Sequence, residues 1–60
     1  MQNITAYIIK RMGDQKYVAK PGSLHSYTNR LEDARIFSDA EVWREKCGNE
    51  VAIPLDKVLG

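Results

Sequence analysis

The sequence predicts one small α+β domain over residues 1–60, with a mainly antiparallel sheet in the order β-β-(β)-β-α-β and one short helix packed on one face. Three observations carry this reading. Two runs rich in β-branched and aromatic residues flank a turn signal near the N-terminus. A complete helix-start pattern occupies Phe37 to Val42. A last extended run over residues 50–55 carries Pro54, a residue confined to sheet edges and strand ends.

Residues 4–12 read as the first strand and residues 15–20 as the second, stopped by Pro21 and Gly22. Gly13 and Asp14 are expected to form a two-residue hairpin turn, with Gly13 taking the positive φ. That turn sets the register, so Arg11 faces Lys16, Lys10 faces Tyr17, Ile9 faces Val18 and Ile8 faces Ala19. One face then carries Ile4, Ala6, Ile8, Lys10, Tyr17 and Ala19, and it is the expected core face. The other carries Tyr7, Ile9 and Val18 with Arg11, Lys16 and Lys20. The like-charged pair Arg11 and Lys16 is unfavourable by up to a fraction of a kcal/mol, roughly the reverse of a good cross-strand pair. A bound anion, an acidic partner or simple divergence of the two side chains into water would relieve it.

A short third strand is expected within residues 24–28, although the course of residues 23–30 as a whole is open. Asn29 with Glu32 suggests a capped single turn carrying Leu31 and Ala34 inward, and residues 35–37 extend again. Ser38 and Glu41 then form a capping box, with Phe37 and Val42 as its hydrophobic staple. Gly48 supplies the stop, so the helix is expected over residues 39–47 with Ala40, Trp43 and Cys47 turned to the sheet. Residues 50–55 form the final strand, and residues 56–60 carry no assignment.

Sixty residues with a net charge of +1 bound the function. A chain this short buries only about 60% of its unfolded surface, so good packing or self-association as a homodimer is expected to support it. Cys47 is the single cysteine and His25 the single histidine, which excludes an internal disulfide and leaves no Cys/His zinc set. The lone thiol fits a reducing compartment. No apolar run approaches the ~20 residues of a membrane span, and the N-terminal residues lack a signal-peptide pattern. A cytoplasmic location is therefore expected. Charge is lopsided. Residues 1–30 set Lys10, Arg11, Lys16, Lys20 and Arg30 against Asp14 for +4. Residues 31–60 set Arg35, Arg44, Lys46 and Lys57 against Glu32, Asp33, Asp39, Glu41, Glu45, Glu50 and Asp56 for −3.

No catalytic constellation emerges: His25 lies in a polar loop, Cys47 is expected as a buried small hydrophobe, and no glycine loop could cradle a phosphate. The chain is expected to be no enzyme and to use no cofactor or metal. Tyr7, Arg11, Lys16 and Lys20 form the candidate binding surface, cations around an aromatic ring in the manner of single-strand binders. A pI near 7.9 is low for a domain committed to nucleic acid, where values above about 9 are usual, so that partner ranks second. A protein partner ranks first, because a small sheet has edges that can accept another strand.

Tyr7-Ile8-Ile9-Lys10, Lys16-Tyr17-Val18, the run from Leu31 to Phe37, Ala40-Glu41 and the run from Val51 to Pro54 span most of the chain. In these segments it resembles small phage and prophage proteins with a Y-V-I-K … K-Y-V … L-x-x-A-R-x-F pattern. The resemblance implies a hairpin-led α+β fold and an accessory role against a host protein in a bacterial cytoplasm. It implies no functional residue.

Overall fold

In the computed structural model, which describes residues 5–59, the central element is β1 (Ala6–Arg11). Along one edge it pairs with β5 (Glu50–Pro54) in antiparallel register from Tyr7↔Pro54 to Arg11↔Glu50. Its other edge is shared. Near the hairpin it pairs with β2 (Tyr17–Val18), through Lys10↔Tyr17, and at its start with β4 (Phe37–Ser38), through Tyr7↔Phe37. Outside β2 lies β3 (Tyr27–Thr28), so the order runs β3-β2-β1-β4 with β5 on the far side of β1. The small α+β architecture with a mainly antiparallel sheet is thus the one the sequence predicts. Ile4, expected in the first strand, lies outside the described residues.

The hairpin keeps its predicted register by a different turn. Arg11 N–H donates to Lys16 O at 2.7 Å, which leaves four residues in the loop. The positive φ falls on Gln15 at 61°, not on Gly13. Gln15 Nε2 donates to Met12 O at 2.9 Å, a local bond that helps hold the left-handed backbone conformation. At the other end of β2, Ser23 N–H donates to Lys20 O and Gly22 has φ 87°, as a type II turn with Pro21 requires.

The expected Ile8–Ala19 pair does not form. Beyond Val18 the two hairpin strands part, and residues 34–38 enter the fork. Ala34 pairs antiparallel with Ala19, and Arg35 N–H donates to Val18 O at 2.9 Å. The chain then bends and leaves along β1 as β4. Ala19 and Ala34 are both buried, and their small side chains let three backbone segments converge there. The turn ahead of this wedge is a 3-10 helix, Leu31–Asp33. Its cap position is Arg30, one residue after the expected Asn29, and Thr28 Oγ1 accepts from Arg30 N–H.

Helix α1 (Asp39–Glu45) has the predicted capping box: Ser38 Oγ accepts from Glu41 N–H at 3.2 Å and Ser38 N–H donates to Glu41 Oε1 at 3.0 Å. Phe37 and Val42, the staple residues, are both fully buried. The helix nevertheless presents a different side to the sheet. Val42 enters the core, whereas Ala40, Trp43 and Cys47, the expected inward stripe, are exposed. The reason is the staple itself. Phe37 pairs with Tyr7, so its side chain lies on the Tyr7 face of the sheet, and Val42 must meet it there. The helix therefore covers Tyr7, Ile9, Val18 and Ala52, and Ile9, Phe37 and Val42 form the main apolar cluster. This is the face opposite the one expected, although Ile8 on that other face is also fully buried.

The helix ends at Glu45, two residues early, with Lys46 extended as its cap. Gly48 has no left-handed conformation and supplies no glycine stop. Strand β5 ends at Pro54, which lacks an N–H, one residue before the expected end, and Leu55 instead opens a second short helix, α2 (Leu55–Leu59), where a single helix was expected. No helix among the described residues is long and apolar enough to cross a membrane.

Candidate functional site

Of the four residues singled out by sequence, the fold brings two into one groove. Arg11 and Lys16, adjacent across the hairpin, line an open groove of about 460 Å³ with His25, Tyr27 and the polar residues around them. The charge repulsion foreseen between them is relieved from within the turn. Arg11 Nε donates to Asp14 Oδ1 at 2.9 Å, and Arg11 Nη2 pairs with Asp14 Oδ2. The bidentate bond to Arg11 holds the Asp14 carboxyl at about 2 and raises the guanidinium pKa further. The same guanidinium lies 3.7 Å from the centre of the Tyr27 ring.

Tyr27 continues this network inward. Its hydroxyl donates to Glu50 Oε2, and Glu50 Oε1 accepts from Cys47 N–H at 2.9 Å. Glu50 is the buried charged residue of the described structure, 4% exposed. Burial pushes its carboxyl pKa up, but the hydrogen bonds from Tyr27 and Cys47 and the charge of Arg11 together bring it below the ordinary glutamate value. The hydrogen bond to Glu50 also raises the Tyr27 hydroxyl pKa. Cys47 is exposed, which corrects its expected place in the core, and lines a smaller groove with Ile9, Val18 and Glu45. His25 is not among the residues of that groove, so the single imidazole and the single thiol belong to different sites.

Tyr7 and Lys20 stand apart from the basic groove. Lys20 is exposed at the Pro21–Gly22 turn. Tyr7 lies beside α1, where its ring meets Trp43 edge-on at 5.7 Å and 64°. One carboxylate oxygen serves both rings: Asp39 Oδ1 accepts from Tyr7 Oη at 3.1 Å and from Trp43 Nε1 at 3.2 Å. The bond to Asp39 raises the Tyr7 hydroxyl pKa, and the charges of Asp39 and Asp56 add to it. Trp43 remains 57% exposed. Across the sheet Pro54 pairs with Tyr7, and Asp39 and Asp56 are the carboxylates whose charges act on the Tyr7 hydroxyl.

Sequence reasoning missed this aromatic pair because it placed Trp43 in the core. A signal was present, since Asp39 and Trp43 are four residues apart and face each other on any helix.

The outer edge of β5 is less open to a further strand than its position suggests. Met12 N–H donates to Asn49 O, a phase that turns the backbone groups of Val51 and Ile53 toward β1 and those of Glu50, Ala52 and Pro54 outward. Glu50 O accepts from Lys46 Nζ at 3.2 Å, Glu50 N–H donates to Cys47 O at 3.1 Å, and Pro54 has no N–H. A lysine and a proline are common means of blunting such an edge.

No protein-family model, curated protein or solved structure matches this chain.

Proposed function

We propose that the chain is a non-enzymatic accessory factor, of the phage and prophage kind its sequence resembles, that docks on a host protein through Tyr7 and Trp43. The observation that carries the reading is the exposed indole held edge-on to Tyr7 by a shared Asp39 oxygen. Tryptophan and tyrosine are the side chains most often found at the energetic centres of protein interfaces. Here Asp39 already orders both rings, so docking sacrifices little side-chain entropy. Pro54 extends the apolar surface beside them.

The test is capture of host proteins from a nuclease-treated bacterial lysate by the tagged chain and by Trp43→Ala. A host protein retained by the native chain and lost by the variant is the expected result. Retention that ignores Trp43→Ala removes this surface from the reading.

Nucleic-acid binding is the second reading, favoured by Arg11 and Lys16 lining one groove beside an aromatic ring. The engagement of Arg11 by Asp14 weakens it. It requires salt-dependent affinity that Arg11→Glu with Lys16→Glu removes.

A further inference from the structure

Five aromatic rings occur in this sequence, and three of them carry a cation of the chain's own. Lys10 Nζ lies 5.9 Å from the centre of the Tyr17 ring, Arg11 lies 3.7 Å from that of Tyr27, and Arg35 lies 4.6 Å from that of Phe37. The remaining two are Tyr7 and Trp43. Among the described residues no cation stands over either ring, and none forms an ion pair with Asp39 or Asp56. Yet indole is the best cation acceptor of the aromatic side chains. Asp39 spends Oδ1 on the two ring donors, and its charge remains beside the exposed indole.

From this juxtaposition we infer that the Tyr7–Trp43 surface takes an arginine side chain of the partner protein, its guanidinium over Trp43 and its donors toward Asp39. Arginine fits better than lysine, because a planar guanidinium stacks on a ring while its edge donates to a carboxylate. A second copy of this chain fits poorly, since a symmetric contact through this surface would bring Asp39 and Asp56 against their own duplicates. The inference rests on the docking role proposed above and names the chemistry that role recognises.

The probe is a short capped peptide with two arginines, compared with its citrulline analogue, which keeps the shape and loses the charge. Amide and indole NMR shifts of the native chain are followed at millimolar peptide. Shifts centred on Trp43 Nε1–H, Asp39 and Tyr7 with the arginine peptide, and absent with citrulline, are expected. Asp39→Asn keeps a side-chain oxygen to accept from both rings and removes the charge. It should weaken binding by up to about fivefold, the equivalent of about 0.2–1 kcal/mol for an exposed arginine–carboxylate pair. Equal shifts with citrulline, shifts centred instead on Glu32, Asp33 or Glu45, or no shifts at all would overturn the inference. A host protein captured through Trp43 while the peptide stays silent removes the arginine alone and leaves the docking role standing. Peptide binding at Trp43 without any captured protein removes the accessory role alone.

Discussion

Tyr27 donates its hydroxyl hydrogen to Glu50, joining β3 to β5 over the two strands between them. Adjacent strands lie about 4.8 Å apart, so a side-chain bond across three intervals requires a sheet that curls toward its helix-covered face. The bond also gives the buried carboxylate a partner that Tyr27→Phe would remove. That variant should lose about 1–3 kcal/mol, the penalty of an unsatisfied buried acceptor, in denaturant unfolding monitored by Trp43 fluorescence.

Acid should act through the same carboxylate. The folded pKa of Glu50 lies below its ordinary value of 4.5, so the native state binds its proton less readily than the unfolded chain. Its stabilising contribution is full above about pH 5 and is lost as pH falls through the folded pKa. Asp14, held at about 2, acts in the same direction over a lower window. Glu50→Gln should flatten the stability profile below pH 5 relative to the native chain, and an unchanged acid slope would contradict the assignment.

The orientation of α1 yields a contrast between neighbours. Val42→Ala removes a fully buried side chain and should be destabilising by about 2 kcal/mol. Trp43→Ala removes the larger ring but mostly an edge contact, and should lose about 1 kcal/mol. Reversal of this order in paired denaturation curves would restore the helix face expected from sequence.

The capping box is separable from the core. Ser38→Ala should lower stability by about 0.5–2 kcal/mol through one unsatisfied helix donor. Ser38→Gly should cost only a few tenths by the same measurement.

Cys47 provides a chemical check on the same region. An exposed thiol outside the helix should react fully with a disulfide reagent in the native state, without denaturant. Protection until unfolding would place it back in the core.

Several features were legible because they depend on neighbours in sequence. The Lys10↔Tyr17 register and the capping box at Ser38 and Glu41 each follow from a few consecutive residues. The proximity of Arg11 and Lys16 followed from the register. What escaped were relations between distant segments. Glu50 reads as one more surface acid until Tyr27, 23 residues away, is brought to it. Ala19 reads as a hairpin residue until Ala34 takes its pairing.

The sequence by itself therefore determined the small α+β class, the start of the helix and the pairing of its first two strands, since short-range sterics and hydrogen bonding select them. Only the tertiary structure decided which face of the sheet is covered, which side of α1 is buried, and that Trp43 stands in water. Those choices turn on the Tyr7–Phe37 pairing, which commits the staple to one face, and no local propensity encodes a contact thirty residues apart in the chain.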